Sequence, residues 1–574
     1  MKKILSLLLA AAMLLALLAG CGSSSDTSES ASEAEETETA EEAETEEAEE
    51  ASETADGEWE METVSLPITE DPVTVTFWTS LDPRIVDFLP TENVEEALLV
   101  YGEIAEQTGI SIHLDAVSVF TQTELFQLMV VSGDYDDIIY NVDGLYTTGY
   151  SGAIEDGVIM DVSALLEEYA PNVYNTIMNS EELSMSLVDE TGQIGVIPMV
   201  YKEGGLETAD IVYRLDWAEE FGIGQIESVE DYHEYLQMAK EVYGATGYTV
   251  GVNTGGISQG SVLDDYMCQA MGAYGSFYQI DGEVIYGGVE DSYYDYLQEM
   301  LVWWSEGLYP EDAMTIDMSQ QQQNFGVGTQ ASTLCNGSPG ITELYAYAPN
   351  DDGSNSIEVW ALGKITYEGE NQWLVSTENS IQKDATWSLS TDCTEPELIA
   401  QLANWLYTDE GSMVVCYGIE GVTYTLDENG EPQWTDMILN NENGYSTTVT
   451  INMYATASVP CVFDQRRTFF DFDETQEALV EVFKGEDVNR NNIPSGADSL
   501  WTTDEQTEYA DVSADISTYR EEMEWKFITG NAELTEESWQ EYVDTMYNMG
   551  LQTLIDLYQT AYDRYEARLE ELEK

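Results

Sequence analysis

Basic side chains are scarce in this sequence. Its 17 Lys and Arg residues stand against 112 Asp and Glu residues, so the 574 residues carry a formal net charge of −95 at pH 7. A body this acidic repels polyphosphates, which excludes nucleic-acid binding. Only two histidines occur, and neither His113 nor His233 has a second metal ligand at helical spacing. We therefore expect no metal site and no other cofactor.

Cysteine is also sparse. Besides Cys21 there are five cysteines, an odd number, and no two of them form a Cys-x-x-Cys pair. This pattern indicates neither a disulfide framework nor a zinc site. We expect most of these five residues to be buried as small hydrophobic side chains; they are Cys268, Cys335, Cys393, Cys416 and Cys461.

The long apolar run of the chain lies at its N-terminus. Two lysines precede residues 4–19, which are too few to span a bilayer with margin and are typical of a secretory signal. The run ends in Leu18-Ala19-Gly20-Cys21, which resembles the lipobox of bacterial lipoproteins. The resemblance implies that residues 1–20 are a signal peptide and that the Cys21 thiol is diacylated, which anchors the chain to the membrane. The alternative is an ordinary signal peptide with a chance cysteine.

The segment after Cys21 has no core-forming pattern. From Gly22 to Glu62 the chain has 18 Asp or Glu residues and no Lys or Arg, in a background of Ala, Ser and Thr. Such a composition cannot bury enough apolar surface to offset the entropy of ordering, and its charges repel one another. We therefore predict that residues 21–70 are a disordered tether, which holds the body, residues 71–574, away from an anionic surface.

The first part of the body alternates strand and helix patterns. "VTVTFW" (73–78) alternates as a strand does, a helical pattern follows, and "ISIHLDAV" alternates again. A second helical pattern begins at Thr121, which has the spacing of a capping box with Glu124, and "DIIY" reads as a buried strand. This order predicts a doubly wound α/β lobe, in which ligands bind beyond the carboxyl ends of the strands. The expected mouth is 78–82 together with 141–143.

Several blocks of the body resemble one protein family. "VSGDYDDIIY" and "MLVWWSEGLYPED" resemble elements of family 1 extracellular solute-binding proteins. The blocks that begin "WLYTDEGSMVVCYGIEGVTYTLDENG" and "DISTYREEMEWKFITGNAELTEESW" are similar to the LplA-like lipoprotein branch of that family, which is of the carbohydrate-importer type. The matches lie in family order over most of residues 72–566. One departure is the calcium loop of many relatives, which is absent where this chain has "VYGATGYTVGVN".

The resemblance implies a type II periplasmic-binding-protein fold, an α/β class with two discontinuous doubly wound lobes, a hinge and C-terminal helices. We expect lobe 1 to comprise about 72–195 and 380–440, and lobe 2 about 196–379 and 441–574. The resemblance also implies a monomer that closes on an oligosaccharide and delivers it to the transmembrane permease subunits of an ABC importer. Its place is the extracytoplasmic face of the cell membrane, in a Gram-positive bacterium.

A sugar site needs aromatic faces and planar polar groups. A pyranose stacks its C–H face on Trp or Tyr, and its hydroxyls bond to Asp, Asn, Glu or Arg. From position in loops and near strand ends we predict these ligand-binding residues: Trp78, Asp82, Asn141, Asn336, Trp360, Trp387 and Glu420. Trp373 and Tyr424 are further candidates, whereas Trp303 and Trp304 lie in a helix pattern and are expected in the core.

Two motifs suggest other chemistry. Gly256–Gly260 matches G-x-S-x-G of α/β-hydrolases, but that order needs a His after the serine, and both histidines precede it. Residues 486–498 resemble a calcium loop, but Asn492 stands where a turn glycine belongs. We therefore predict a binding protein and not an enzyme. A surface-anchored glycoside hydrolase and a binding protein for peptides or another polar solute stay open as alternatives.

Overall fold

The structure is a computed structural model of the chain. It describes residues 61–81, 94–201, 209–247, 262–316, 318–348, 356–374, 381–441, 443, 445, 447–455, 458–468, 472–484, 491–494, 497 and 500–572. From Trp59 onwards the chain forms one compact unit. The signal peptide, Cys21, most of the tether, Asp82, Gly256–Gly260 and most of 486–498 lie outside the described residues. Within the described ranges, no helix is both long enough and apolar enough to cross a membrane.

The strands of the described residues are, in chain order, β1 (Val73–Leu81), β2 (Ile110–Ser118), β3 (Ile138–Tyr140), β4 (Ile197–Tyr201), β5 (Ala209–Arg214), β6 (Phe277–Ile280), β7 (Glu283–Tyr286), β8 (Ser332–Asn336), β9 (Val359–Ala361), β10 (Ile381–Leu389), β11 (Tyr424–Leu426), β12 (Pro432–Trp434) and β13 (Val462–Phe463).

The α-helices are α1 (Leu99–Thr108), α2 (Gln122–Ser132), α3 (Val142–Leu145), α4 (Gly149–Glu155), α5 (Ser163–Tyr169), α6 (Pro171–Asn179), α7 (Glu181–Leu187), α8 (Leu215–Phe221), α9 (Val229–Tyr243), α10 (Val262–Ala270), α11 (Asp291–Ser305), α12 (Met318–Gly326), α13 (Gly337–Ala346), α14 (Pro396–Leu406), α15 (Asp409–Tyr417), α16 (Asp436–Leu439), α17 (Thr447–Tyr454), α18 (Glu474–Lys484), α19 (Thr503–Ile528), α20 (Glu536–Met549) and α21 (Leu551–Leu572). Short 3₁₀ helices span Val94–Ala97, Gly287–Val289 and Gln465–Thr468.

Six strands form the main sheet, in the order β13-β4-β10-β3-β1-β2. β1 pairs in parallel with β2 and with β3, and β4 pairs in parallel with β13. β10 runs antiparallel to both of its neighbours, β3 and β4. Five strands therefore point one way and one the other. The chain moves from β1 outward to β2 and returns to β3 on the other side of β1, which confirms the prediction of a doubly wound α/β lobe.

Local sequence explains most of the elements around β1. This strand is almost continuously buried from Val75 onwards, as a strand covered on both faces should be. α1 ends at Gly109, whose left-handed φ of 79° suits glycine. The capping box expected at the start of α2 is wrong, because the Thr121 side chain makes no bond to the helix. Its hydroxyl instead donates to the carbonyl oxygen of Ser118 at 3.1 Å.

Two large hydrophobic cores divide the compact unit. The first is built from side chains within 75–201 and 387–463, and the second from side chains within 211–373 and 516–554. Trp303 is fully buried in the second core, where its ring lies 5.8 Å from that of Tyr232, so the prediction of a core role is confirmed. We name two bodies by these cores: the first body is 61–201 with 381–468, and the second body is 209–374 with 472–572.

The chain leaves the first body later than we expected. We placed the boundaries of lobe 1 near residues 195 and 440. β4 is completely buried in the main sheet, and β13 pairs with it as the edge strand. The chain therefore crosses between the two bodies three times: after Tyr201, before Ile381 and after Thr468. We call these crossings the first, second and third passages. A strand pairing between segments so far apart in the chain leaves no local signal from which these boundaries could be read.

A smaller sheet, β8-β5-β9, is antiparallel throughout and lies in the second body. Three C-terminal helices complete this body. In α19, Arg520 and Glu524 form a buried ion pair with a nitrogen–oxygen distance of 2.5 Å, and Arg520 also donates to the carbonyl oxygen of Gly275. α21 reaches the first body, since Arg568 donates to the carbonyl oxygen of Val188 at 2.9 Å. The two bodies are thus joined at this contact as well as through the three passages.

Candidate functional site

All three passages between the bodies meet one edge of the main sheet. β4 ends there at Tyr201, β13 ends there at Phe463, and β10 begins there at Ile381. Because β1, β2 and β3 run in the same direction as β4, their carboxyl ends lie at this edge too. Ligands of open α/β sheets bind beyond the carboxyl ends of the strands. We call this edge, together with the residues that follow the strands, the crossing edge, and it is the candidate ligand site.

Asn141 is held firmly at the crossing edge, directly after β3. Its φ of 53° is left-handed, a conformation that asparagine tolerates better than most residues. Its side-chain oxygen accepts a hydrogen bond from the Gly144 N–H at 3.2 Å, and its own N–H donates to the Thr386 carbonyl oxygen at 3.0 Å. Asn141 therefore caps α3 with its oxygen, and its amide nitrogen is the atom that can donate to a ligand.

Trp78 lies below the crossing edge in an aromatic row. Its ring centroid is 5.8 Å from that of Phe126, which is 6.4 Å from that of Tyr146. The indole is only 3% exposed. Burial, followed by the hydrogen bond of 2.6 Å to the Asp156 carboxylate, raises the pKa of Tyr146. These aromatic side chains are therefore uncharged. A ligand could contact them only through the small exposed part of Trp78.

Polar side chains follow β13 at the third passage. Asp464, Gln465 and Arg466 line one side of a cavity of about 280 Å³, and side chains of α15 line the other. Arg466 donates from Nε to the Asp464 carboxylate at 2.9 Å and also pairs with Glu431. The bond to Asp464 raises the pKa of Arg466, so its charge persists. A charged guanidinium with an exposed side and a nearby carboxylate can bind paired hydroxyl groups.

An aromatic group stands next to this segment. The ring of Tyr417 lies 5.2 Å from that of Trp434 and 5.6 Å from that of Tyr424. The Tyr417 hydroxyl donates to the Asp464 carboxylate at 3.1 Å. The Trp434 indole N–H donates to the carbonyl oxygen of Arg467, also at 3.1 Å. The hairpin of β11 and β12 is thereby fixed to the third passage, and it brings aromatic surface to the crossing edge.

The second body begins at β5. β5 starts at Ala209, directly after the first passage, and Ala209 is the register partner of Asn336 at the end of β8. The carboxyl end of β8 and the N-terminus of α13 are therefore at the same end of the smaller sheet as the passage. The predicted ligand residue Asn336 lies at this end by its backbone position.

Asp210 is the buried carboxyl at this end of the smaller sheet. It is 4% exposed and accepts hydrogen bonds from the N–H groups of Ile211 at 2.6 Å and Gly363 at 2.9 Å. Burial raises the pKa of Asp210 to about 7, although these bonds and one from Tyr266 act to lower it. Asp210 therefore ties β5 to the residues after β9 and changes charge near neutral pH.

Trp387 and Trp373 are core residues, not open faces as we had expected. Trp387 is fully buried: its indole N–H donates to the carbonyl oxygen of Ser458 at 3.0 Å, and its ring meets Phe77 edge-on at 5.3 Å. Trp373 is 2% exposed and donates to the carbonyl oxygen of Ile365 at 3.2 Å. Neither indole presents a ring face to a ligand in this structure, because each is enclosed by the segments packed around it.

The other predicted ligand residues are spread over the molecule. Trp360 is half-buried in β9, where it is the register partner of Tyr213 in β5. It is not the residue at the end of β9 that lies nearest the first passage. Glu420 is exposed on the turn before β11, and Tyr424 is buried beside it. The crossing edge thus brings Trp78, Asn141 and Asn336 toward the passages, and the ligand roles of all these residues stay predictions.

Arg466 and Arg467 at the third passage were not among the predicted site residues. The signal was present, because two adjacent arginines are conspicuous in a chain with 17 basic residues. Asp210 was not predicted either, because its burial depends on the pairing of β5 with β8 and β9 and has no local signature. Both sites arise where distant segments meet.

A second cavity, of about 720 Å³, lies in the second body. α11 and the turn that holds Tyr367 line it, and three of its side chains are acidic: Asp295, Glu299 and Glu368. None of its lining residues directly follows a strand of the main sheet. We therefore place the candidate site at the crossing edge and not here.

The two histidines each meet a carboxylate. His113 lies 3.0 Å from Glu95, and His233 lies 2.7 Å from Glu306. Among the residues with described positions, no three His, Cys, Asp or Glu side chains come together in the way that a metal site requires.

No known family model matches the chain. A curated protein does: the fructooligosaccharide ABC transporter substrate-binding protein FusA of Streptococcus pneumoniae serotype 4 is 22% identical over 535 residues, which cover 89% of this chain and 94% of FusA. The two sequences thus align over nearly their whole lengths.

Solved structures share the fold. The alginate-binding protein AlgQ2, solved without calcium ion, has 18% identity and a TM-score of 0.68, covering 86% of this chain and 99% of AlgQ2. S. pneumoniae FusA in complex with kestose has 17% identity and a TM-score of 0.68, covering 86% and 100%. The N-glycan transport solute binding protein NgtS of S. pneumoniae has 15% identity and a TM-score of 0.57, covering 86% and 99%. The likenesses confirm the predicted binding-protein fold.

Proposed function

We propose that this chain is the substrate-binding protein of an ABC importer and that it captures an oligosaccharide between its two bodies. The observation that carries the proposal is the crossing edge, where three passages and the carboxyl ends of five strands meet. Only a ligand that contacts both bodies favours the closed arrangement over the open one, and the crossing edge is where the chain leaves one body for the other. The alignment with FusA over nearly its whole length supports the same function, since FusA is a fructooligosaccharide ABC transporter substrate-binding protein by name.

The proposed site combines three kinds of group. Aromatic surface comes from Trp434, a charged fork comes from Arg466, and an amide donor comes from Asn141. Stacking on the C–H face of a sugar and paired bonds to its hydroxyls need these groups. We rank fructo-oligosaccharides first as cargo, because the relative that aligns by sequence binds them by name. Alginate and N-glycan oligosaccharides follow, since the alginate-binding protein AlgQ2 and the N-glycan transport protein NgtS share the fold.

Anchoring through Cys21 belongs to the same proposal. The lipobox-like residues before Cys21 and the acidic tether after it support a lipid-anchored protein on the extracytoplasmic face of a Gram-positive membrane. The C-terminal blocks quoted above support the LplA-like branch, and delivery to permease subunits follows from the importer role. Cys21→Ala should shift the chain from the membrane fraction to the culture medium, whereas retention at the membrane would contradict the anchor.

Thermal unfolding of the chain that begins at Gly22, across a panel of glycans, tests the cargo. The panel is kestose, longer fructo-oligosaccharides, alginate oligomers, a mannose-rich N-glycan and a set of short peptides. A ligand at a hundred times its dissociation constant adds about 2.7 kcal/mol to stability, which shifts the transition measurably. Each glycan is recovered and sized by chromatography after the scan.

A shift with an intact glycan supports the proposal and identifies the cargo class. A glycan returned in shorter pieces would favour the hydrolase alternative, and a shift with peptides alone would overturn the sugar assignment. As a site test, Arg466→Gln should weaken binding about tenfold or more, since it removes a charge-assisted hydrogen bond. Lys526→Gln is the matched control, because Lys526 is a partly exposed cation in α19 that pairs with Glu522.

A further inference from the structure

One aromatic side chain at the crossing edge is largely exposed. Phe120 comes two residues after the end of β2, and it is 80% exposed, more than any other aromatic side chain of the described residues. Two of the tryptophans that we expected at the site offer no such face, because Trp78 is 3% exposed and Trp387 is fully buried. A sugar site needs an accessible aromatic face, and Phe120 provides one where β2 ends.

The backbone around Phe120 is fixed by hydrogen bonds. β2 leads into α2 through a turn, in which the N–H and the hydroxyl of Thr121 both donate to the Ser118 carbonyl oxygen, at 2.9 Å and 3.1 Å. The N–H of Phe120 donates to the Ser118 hydroxyl at 3.4 Å. The N–H of Val119 donates to the carbonyl oxygen of Leu81, the last residue of β1, at 3.2 Å. Because the turn is already ordered, a ligand that stacks on the ring loses little affinity to ordering it.

The exposed apolar side chains that follow Phe120 are of a different kind. Leu125, Leu128 and Val131 in α2 are 37%, 57% and 86% exposed, and all three are aliphatic. α2 leads from the carboxyl end of β2 to the amino end of β3, so it runs away from the crossing edge. Phe120 is therefore the one of these four residues that lies at the edge and has a flat face for a sugar ring.

Phe120 and Arg466 lie at opposite ends of the crossing edge. Phe120 follows β2 and Arg466 follows β13, and these strands are the two outermost strands of the main sheet. Six strands have five spacings of about 4.8 Å, so the two ends of the edge are about 24 Å apart. Asn141, which follows β3, lies between them. A disaccharide is too short to reach from one end to the other, whereas a longer oligosaccharide can.

We propose that Phe120 stacks on the last sugar unit of the cargo, and that the cargo is an oligosaccharide longer than a disaccharide. This inference rests on the proposed function, since it requires a glycan that lies along the crossing edge. Arg466 binds the first unit through its hydroxyl groups, and Phe120 binds the last unit through its C–H face. Affinity should therefore rise with chain length up to the length that reaches the ring, and then level off.

Calorimetric titration with size ladders of glycans tests this inference. The ladders are fructo-oligosaccharides, alginate oligomers and mannose-rich N-glycans, each taken from its shortest member upward and added to the chain that begins at Gly22. Phe120→Ala should weaken binding of the longest members about tenfold, because the stacking contact is lost. It should leave the shortest bound members unchanged, since they are held near Arg466 and do not reach the ring. Phe120→Trp should keep the wild-type dependence on length.

Val131→Ala is the matched control. It removes an exposed apolar side chain from the other end of α2, away from the crossing edge, and should change neither the affinity nor its dependence on length. Urea unfolding of Phe120→Ala should have the wild-type midpoint, because an exposed ring contributes little to the stability of the fold. A loss of binding in this variant would then come from the missing ring and not from unfolding.

Two results would overturn the inference and leave the proposed function standing. The first is that Phe120→Ala binds every glycan as the wild type does, while Arg466→Gln still weakens binding. The second is an equal loss of affinity at every chain length, which would place the ring beside the first sugar units instead of the last. If no member of any ladder binds the wild-type chain, the sugar assignment itself fails, and this inference fails with it.

Discussion

Replacement of Asp210 by asparagine should change how the stability of this protein depends on pH. Asp210 is buried at the start of β5, and burial raises its pKa from the usual 3.8 to about 7. The folded chain therefore keeps a proton on this carboxyl between pH 4 and pH 7, where the unfolded chain has released it. Protonation thus stabilises the fold fully below about pH 4, and this contribution is lost as the pH rises to about 7.

The size of the effect follows from the difference in pKa. Each unit of difference corresponds to about 1.4 kcal/mol, so the wild-type chain should lose about 2.5 kcal/mol between pH 5 and pH 8 through this one group, most of it below pH 7. Asp210→Asn cannot titrate. It also leaves one of the N–H groups of Ile211 and Gly363 without its carboxylate acceptor, a cost of about 1–3 kcal/mol that does not vary with pH.

The assay is urea unfolding of both chains at several pH values from 5 to 8, followed by tryptophan fluorescence. The difference in unfolding free energy between variant and wild type should rise with pH in favour of the variant, and then level off above pH 7. Asp134→Asn, which replaces an exposed carboxylate, should give a difference that is flat over the same range. If the unfolding free energies of wild type and Asp210→Asn changed with pH in parallel, Asp210 would be ionised in the folded chain. That result would refute the reasoning.

Other buried contacts make shorter predictions. Glu524→Gln leaves the buried Arg520 charge without its counter-ion and should cost about 3–5 kcal/mol in urea unfolding, whereas Glu522→Gln on the exposed face of α19 should cost less than about 1 kcal/mol. Trp387→Ala empties a fully buried site and should cost about 3–5 kcal/mol in the same assay, and Trp387→Phe less. If the phenylalanine variant folds but loses glycan affinity selectively, its core assignment fails. Arg568→Ala removes the bonds to two backbone carbonyls of the first body and should lower the unfolding free energy by about 1–2 kcal/mol, with unchanged stability as the contrary result.

The alternation of strands and helices near the start of the body could be predicted because its signals are local. α1 lies between β1 and β2 in the chain, and Gly109 and Gly133 end α1 and α2 as left-handed caps. β13 could not be predicted in the same way. It is a very short strand, and its place in the sheet depends on pairing with β4, which lies far earlier in the chain.

The ligand residues were harder to predict because tryptophan serves cores as well as sugars. We placed Trp387 in a loop, and its neighbours Thr386, Ser388 and Ser390 give no apolar alternation that would indicate a strand. β10 is instead a central strand between β3 and β4, so these hydroxyl-bearing residues are themselves buried. A polar residue pattern in a short sequence window therefore does not separate an exposed loop from the one antiparallel strand of a covered sheet. That distinction needs the partners of the strand.

In this fold, the positions of arginines indicate where distant segments contact each other more reliably than the positions of tryptophans indicate a ligand site. In this chain, an exposed arginine paired with a carboxylate contributes little to the stability of the fold. Four described arginines instead donate to backbone carbonyls of other segments: Arg467 to Ala455, Arg520 to Gly275, Arg564 to Leu500 and Arg568 to Val188. A guanidinium suits this task, since its charge survives burial and its five donors can serve several carbonyls at once. In a strongly acidic sequence, the positions of the arginines are therefore the better guide to where distant segments meet.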